Sequence, residues 1–256
     1  MCGVGSMPDT LNEAILKEIL QDRPFQFFPQ VDSTNDIAQQ WILEGAPTGA
    51  VVIAEEQLAG RGRLARKWYT PPKQAIAMSV IVRLEDVQFL SRIMMAAAIA
   101  VAESLRNYTH GITLKWPNDV LLNGKKVCGI LAESQWAGDL FLGAIIGIGL
   151  NVRVSFADTE LAERATSLED HTNKSVKRAH LIASILENLD RWLALLRSDK
   201  LLAAYRENLI TLGQEVSISV GNKIITGRAI DIDGEGALLI ELPDGVYQKI
   251  TVGEVR

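Results

Sequence analysis

Residues 55–68 read Glu55-Glu56-Gln57-Leu58-Ala59-Gly60-Arg61-Gly62-Arg63-Leu64-Ala65-Arg66-Lys67-Trp68. Arg61, Arg63, Arg66 and Lys67 are cationic, Gly60 and Gly62 stand among them, and an indole closes the run. Neither helix nor strand suits this stretch, because glycine weakens both and like charges crowd together. It reads as a mobile loop whose chemistry suits anionic oxygens. Guanidinium groups bind phosphate or carboxylate in a planar fork, and glycine lets backbone N–H groups come close. Taken alone, such a run is more often a solvated basic loop. The flanking sequence decides between the two.

Residues 50–54 are β-branched and apolar, a buried strand leading directly into the loop. A loop anchored on a buried strand is both movable and accurately placed. Pro71-Pro72 ends it, and residues 57–71 are expected to order only over a ligand. Upstream, residues 11–20 form an amphipathic helix opened by a capping box of Thr10 and Glu13. Residues 25–28 form a short strand. Val31-Asp32-Ser33-Thr34-Asn35-Asp36 then opens a helix with Ile37, Ala38, Trp41 and Ile42 on its apolar face. Ser33 and Thr34 are either a plain N-cap or, with the free N–H groups of a helix start, a seat for a polar ligand head.

Downstream, residues 74–83 read as a strand. Residues 90–105 are apolar on nearly all sides, a buried helix too short for a membrane span. A second chemical stretch follows, Lys115-Trp116-Pro117-Asn118-Asp119, and then Asn123-Gly124 between apolar runs, a strong hairpin signal. Lys125 and Lys126 begin the returning strand. Neighbours on a strand point to opposite faces, so at most one of them faces a site there. Residues 140–152 are a further strand, with close backbone approach at Gly147-Ile148-Gly149 and a polar end at Asn151. A third glycine and a following helix are missing, so it is no dinucleotide fingerprint. Residues 155–177 read as a surface excursion with one short helix near Leu161. Helices are expected over residues 179–196 and 200–209. From residue 213 the pattern changes to short strands and turns, a small barrel that must dock on the main domain.

The totals narrow the function. The chain has 256 residues, 48% hydrophobic and 22% charged, with net charge −5. That balance argues against bulk nucleic-acid binding, so the basic loop points to a small anionic ligand. Cys2 and Cys128 imply no disulfide framework, and residues 3–7 partly resemble a cloning remnant. No leader is apparent, and a reducing, cytoplasmic setting is expected. His110, His171 and His180 have no ligand spacing with cysteine. Neither a Walker A sequence nor a nucleophile elbow is present. An anion-binding loop, a lysine-bearing hairpin, a carboxylate-bearing turn and a helix start remain. Such a set can act on phosphate electrostatically, with no covalent enzyme intermediate.

Two of these stretches resemble the signature motifs of biotin–protein ligases. One is Gln57-x-x-Gly60-Arg61-Gly62-Arg63-x-x-Arg66-Lys67-Trp68; the other is Lys115-Trp116-Pro117-Asn118-Asp119, followed by Lys126-x-x-Gly129-Ile130-Leu131. Ser33-Thr34-Asn35 matches the family's first motif. The resemblance covers roughly residues 25–256. It implies an α+β fold: a mixed β-sheet with helices, like the catalytic domain of class II aminoacyl-tRNA synthetases, over residues 1–212, and an SH3-like barrel over 213–256.

It also implies a two-step reaction. Biotin and ATP give biotinyl-5′-AMP and pyrophosphate with Mg²⁺ assisting, and a carrier lysine then takes the biotinyl group. Ser33, Thr34, Asn35 and Gln57 would hold the biotin head, Gly60, Arg61, Gly62 and Arg63 would close over it, and Lys126 and Gly129 would complete the biotin site. Arg63, Arg66 and Lys126 would offset charge at the α-phosphate. Trp68, Asn118 and Asn151 would serve the nucleotide, and Asp119 would orient or deprotonate the incoming lysine. No metal site made by protein alone is implied. The expected partner is the biotin carboxyl carrier protein of acetyl-CoA carboxylase. DNA and membrane are not expected, and monomer and homodimer both stay open. The repressor-type DNA-binding domain is not seen, which suggests a monofunctional ligase. Leu64-Ala65 departs from the family's common Arg-Gly. A lipoate–protein ligase and a biotin-responsive regulator are the rival readings.

Overall fold

The computed structural model describes residues 9–221 and 223–255. Cys2, residues 3–7 and Asn222 lie outside them. In chain order the first elements are α1 (Glu13–Leu20), β1 (Phe25–Val31), α2 (Thr34–Leu43), β2 (Val51–Gln57), β3 (Ala75–Val82) and α3 (Leu90–Arg106). The middle of the chain gives β4 (Ile112–Lys115), β5 (Asp119–Leu122), β6 (Lys125–Ala137), β7 (Leu140–Asn151), α4 (Arg178–Leu193) and α5 (Asp199–Asn208). The remainder is β8 (Glu215–Val220), β9 (Lys223–Ile232), β10 (Leu238–Glu241), β11 (Tyr247–Ile250) and β12 (Glu254–Val255).

A seven-stranded sheet runs β1-β2-β3-β7-β6-β5-β4. β1 and β2 are parallel and every other neighbouring pair is antiparallel, so the sheet is mixed, as expected. Alternation gives it two unlike faces. On one face β3 and β7 carry Ile76, Met78, Val80, Ile146 and Ile148, all buried against α3. The alanines of α3 let its backbone approach closely, and α4 and α5 cover its far side. The opposite face lies under α2. There the rows are short: Ala77 beside Gly149 beside Gly129, and Ser79 beside Gly147 beside Leu131.

Several local expectations are corrected. α1 starts at Glu13 because Asn12, not Thr10, caps it, with Oδ1 accepting the Ile15 N–H at 2.9 Å. Turns, not a helix, surround Leu161. Residues 155–177 are not wholly surface: Ser167 and Leu168 are fully buried, and Ala165 bridges to Lys126. β6 continues to Ala137 and pairs with β7 along that length, a continuation its polar residues 133–135 hid from a hydrophobic pattern. With the turn before it, the helical segment Val87–Arg106 is long and apolar enough to reach across a bilayer by length and composition. Its place between the sheet and α4 accounts for that apolarity.

The last five strands form an antiparallel sheet, β11-β10-β9-β8-β12, consistent with an SH3-like barrel. Its core residues Val216, Ile218, Leu238 and Ile240 join the main hydrophobic cluster, so the unit docks as expected. Trp116 Nε1 donates to the Gly236 carbonyl across that junction (3.1 Å), tying the barrel to the Lys115–Asp119 turn.

One buried ion cluster secures the base of the basic loop. Arg178 opens α4 with 0% of its surface exposed. It meets Asp9 at 2.9 Å and Glu55 at 2.7 Å, and donates to the Ala75 carbonyl at 3.1 Å. Burial pushes the Asp9 carboxyl up, but hydrogen bonds from Arg153 and Arg178 outweigh it and hold the group below its ordinary value. Glu55 and Ala75 stand where β2 leaves the sheet and β3 re-enters it. Removing one partner of a buried cluster strands the others in low dielectric. Arg178→Met is expected to lower stability by about 3–5 kcal/mol, measured by urea denaturation; a loss near zero would show that the cluster contributes nothing net.

Candidate active site

The start of α2 meets the end of β2. Ser33 occupies the N-cap position, but its side chain makes no capping bond. Thr34 donates from both its backbone N–H (2.9 Å) and its hydroxyl (3.0 Å) to Gln57 Oε1. Gln57 Nε2 in turn donates to Thr70 Oγ1 at 3.3 Å, across the neck of the loop. The groups that Ser33, Thr34 and Gln57 present here are polar and uncharged.

The loop folds back on itself. Trp68 N–H donates to the Gly60 carbonyl (2.8 Å) and Gly62 N–H to the Arg66 carbonyl (2.7 Å). A Cβ on Gly60 would stand 2.6 Å from the Trp68 carbonyl, so glycine is required there. A 3-10 turn covers Arg63–Ala65, with Leu64 at φ 55° and 67% exposed. A residue with a Cβ in that left-handed region costs roughly 1 kcal/mol.

The hairpin supplies the opposite, charged end. Asn123 and Gly124 take φ of 50° and 81°, the turn that tightly paired strands require. Lys126 Nζ pairs with Asp119 Oδ1 at 2.6 Å, while Lys125 Nζ points away and donates to the Ala162 carbonyl at 2.8 Å. One lysine faces each side, as the strand argument requires. Asn118 Nδ2 donates to the Ile130 carbonyl (2.7 Å), and its Oδ1 accepts from Arg63 at 3.3 Å. Tyr205, fully buried on α5, donates to the Pro117 carbonyl (3.1 Å) and steadies this turn.

Between the two ends lies a cavity of about 50 Å³, with Ser33, Thr34, Asn35, Gln57, Arg61, Gly62, Arg63, Trp68, Asn118, Lys126 and Gly129 in its wall. It is small because Trp68 fills it. The indole rests on β6 and β7, where a Cβ on Gly149 would be 2.3 Å from the ring and one on Gly129 3.1 Å. The indole Nε1 is buried without a hydrogen-bond partner, and Lys126 Nζ is 5.6 Å from the ring centroid. Of the two glycines read as close backbone approach, Gly149 is explained by the indole and Gly147 by Asn35, whose Oδ1 a Cβ there would meet.

Other expected residues lie outside this wall. Gly60 shapes the loop neck. Asp119 reaches the site through Lys126. Asn151 is buried at the end of β7, its Nδ2 donating to the Thr166 carbonyl at 3.1 Å. Arg66 turns out to the barrel, where its guanidinium grips the carboxylate of Glu254 on β12. Glu254 was not foreseen, because nothing local in the sequence pairs β12 with the loop. Glu133 was also missed, although Gly129, Leu131 and Glu133 alternate onto one face of β6. Hydrogen bonds from Arg61 to Asp36 raise the Arg61 pKa. Burial lowers that of Arg63, against the pull of Asp119 and Glu254. Among the described residues, no group of three His, Cys, Asp or Glu side chains could hold a metal ion.

Residues 27–151 match the Biotin/lipoate A/B protein ligase family, and residues 211–256 match the Biotin protein ligase C terminal domain. The biotin--[acetyl-CoA-carboxylase] ligase of Mycobacterium tuberculosis is 35% identical over 243 residues, covering 91% of this chain and 88% of that protein. The bifunctional ligase/repressor BirA of Bacillus subtilis is 34% identical over 223 residues, 84% of this chain and 69% of its own. The chain belongs to the biotin protein ligases. Among solved structures, the biotin protein ligase from Aquifex aeolicus in complex with biotin and ATP superposes with a TM-score of 0.76 at 28% identity, covering 91% of this chain and 97% of that one.

In this biotin protein ligase the indole and the glycine floor are matched surfaces. Gly149→Ala would drive a methyl into the ring. The emission of Trp68, taken as the difference from a Trp68→Phe variant, is expected to shift to longer wavelength in Gly149→Ala. Adenylate formation should fall at least about tenfold through the lost geometry. Unchanged emission would mean that Trp68 does not rest on this floor in solution.

Proposed function

We propose that the protein is an ATP-dependent biotin–protein ligase acting through biotinyl-5′-AMP, and that the residues around the Trp68 cavity perform both steps. The observation that supports this most directly is the division of the cavity. One end offers Ser33, Thr34 and Gln57, neutral groups that donate and accept. The other brings together Lys126 and Arg63 from separate elements. A ligand with an uncharged polar head and an anionic tail fits that order, and biotin has a ureido head and a carboxylate tail.

In the first step a biotin carboxylate oxygen attacks the α-phosphorus of ATP, and the bond to pyrophosphate breaks. Two anions must meet, so the fixed positive charge of Lys126 and Arg63 is most valuable as negative charge concentrates on the α-phosphate oxygens. Asp119 keeps Lys126 in place. Arg66 would exchange Glu254 for nucleotide phosphate, and Trp68 would lift from its glycine floor and cover the nucleotide base. Asn118 and Asn151 each bind a carbonyl through Nδ2, so their oxygens are the groups that would serve the nucleotide, that of Asn118 once Arg63 turns from it to phosphate. Those are hard donors of the kind Mg²⁺ accepts, and the ion, arriving with ATP, would add charge neutralisation at the phosphates.

In the second step a carrier lysine attacks the acyl carbon and AMP leaves with the bonding electrons. Asp119 orients the amine or takes the proton it loses, which otherwise passes to the leaving phosphate, and the closed loop keeps water from the anhydride. The names of two relatives, biotin--[acetyl-CoA-carboxylase] ligases, support acetyl-CoA carboxylase as the target, whose biotin carboxyl carrier protein would present the lysine. A lipoate ligase would share the adenylation chemistry. The match of residues 211–256 to the biotin-specific C-terminal domain favours biotin.

Pyrophosphate release from ATP should require biotin and should not occur with lipoate. A carrier domain incubated with all components should gain the mass of one biotinyl group. Lys126→Ala is expected to keep the fold and cut adenylation by about 10² or more; near-normal turnover would remove Lys126 from catalysis.

A further inference from the structure

We infer that Glu133 is a positioning residue that sets biotin affinity by fixing the side-chain amide of Asn35; the inference rests on the biotin-ligase reading above. Asn35 lies in the first turn of α2, buried, in the wall of the cavity. Its amide is held at both ends. Oδ1 accepts from Ser79 Oγ on β3 at 2.6 Å, and Nδ2 donates to a carboxylate oxygen of Glu133 on β6. A Cβ on Gly147 would stand 2.6 Å from Oδ1, so the sheet leaves room for the amide and little else.

The two ends of an amide are nearly equal in shape and opposite in chemistry. A carboxylate only accepts, so it forces Nδ2 toward itself and Oδ1 toward Ser79. Ser79 Oγ also lies 2.6 Å from Thr34 Oγ1 and has one proton for the two oxygens. Thr34 then binds Gln57. Glu133 therefore sets the direction of donation along Asn35, Ser79, Thr34 and Gln57, the groups that present donors and acceptors to a ureido head. The same carboxylate lies 3.9 Å from the Arg61 guanidinium, which Asp36 grips with both oxygens. The main effect runs through the amide, because the Arg61 contact is longer and already duplicated by Asp36.

None of these groups reaches the cations that act on phosphate. Loss of Glu133 should thus weaken biotin binding and leave the chemical step alone. Glu133→Ala is expected to raise both the calorimetric Kd for biotin and the KM for biotin by about tenfold or more, as loss of a charged hydrogen bond does. Its kcat for pyrophosphate release and KM for ATP should stay within about twofold of wild type. Glu133→Gln keeps one acceptor that can turn to Nδ2 but no longer forbids the flipped amide, so its biotin affinity should fall between those of Glu133→Ala and wild type. A Glu133→Gln variant as weak as Glu133→Ala would overturn the amide mechanism. So would an unchanged Kd in Glu133→Ala, or an equal loss in kcat and in both KM values. A wild-type protein that binds no biotin would instead sink the ligase reading itself, and this inference with it.

Discussion

The site depends on a floor without side chains. Register puts Ala77, Gly149, Gly129 and Asp119 side by side on four neighbouring strands, with Ser79, Gly147 and Leu131 in the next row. Where the row is glycine, a planar group can lie directly on the backbone, and Trp68 does. Where it ends in a polar residue, the side chain rises beside that group, and Asp119 with Lys126 does so. A one-residue slip in β7 would bring Ile148 to this face and close the site. Chemistry is therefore set by strand pairing before any charged residue is considered.

Charge is arranged over that floor by contrast. Three cations of the loop and hairpin each have a carboxylate partner that can be exchanged or kept. Lys126 has Asp119, Arg61 has Asp36 and Glu133, and Arg66 has Glu254. An unbalanced cluster of this density would repel itself and hold the loop open. Pairing removes most of that repulsion. It also makes exchange with a phosphate a trade of one anion for another, not the desolvation of a bare cation. Arg63 is the member with the weakest protein partner, a neutral amide oxygen at 3.3 Å. That leaves it the freest to meet a ligand anion.

Much of this was legible along the chain. The small face of β3, Ala75-Ala77-Ser79, and the glycines of β7 are visible by alternation alone, and Asn123-Gly124 fixed the hairpin that separates Lys125 from Lys126. The loop was legible as an anion binder through its arginines and glycines. What stayed hidden depended on contacts between residues far apart in sequence. Glu254 meets Arg66 across 188 positions, and Glu133 meets Asn35 across 98. Neither carboxylate has a local pattern that separates it from a solvated one. The continuation of β6 past Leu131 was hidden for a related reason. Its polar residues serve the site and not the core, so hydrophobic alternation fades where function begins.

Two anchors of opposite origin meet on the loop. Its first half is held to the catalytic sheet and α2 through Arg61, and its second half to the barrel through Arg66. The turn between them passes through Leu64 at positive φ, a conformation that strains a side chain with a Cβ. The loop is thus stretched between two clasps with its least comfortable residue at the apex. In the proposed exchange of Glu254 for a phosphate, Arg66 would move one clasp while the other stays fixed. The strain at Leu64 bears on how readily the loop makes that move.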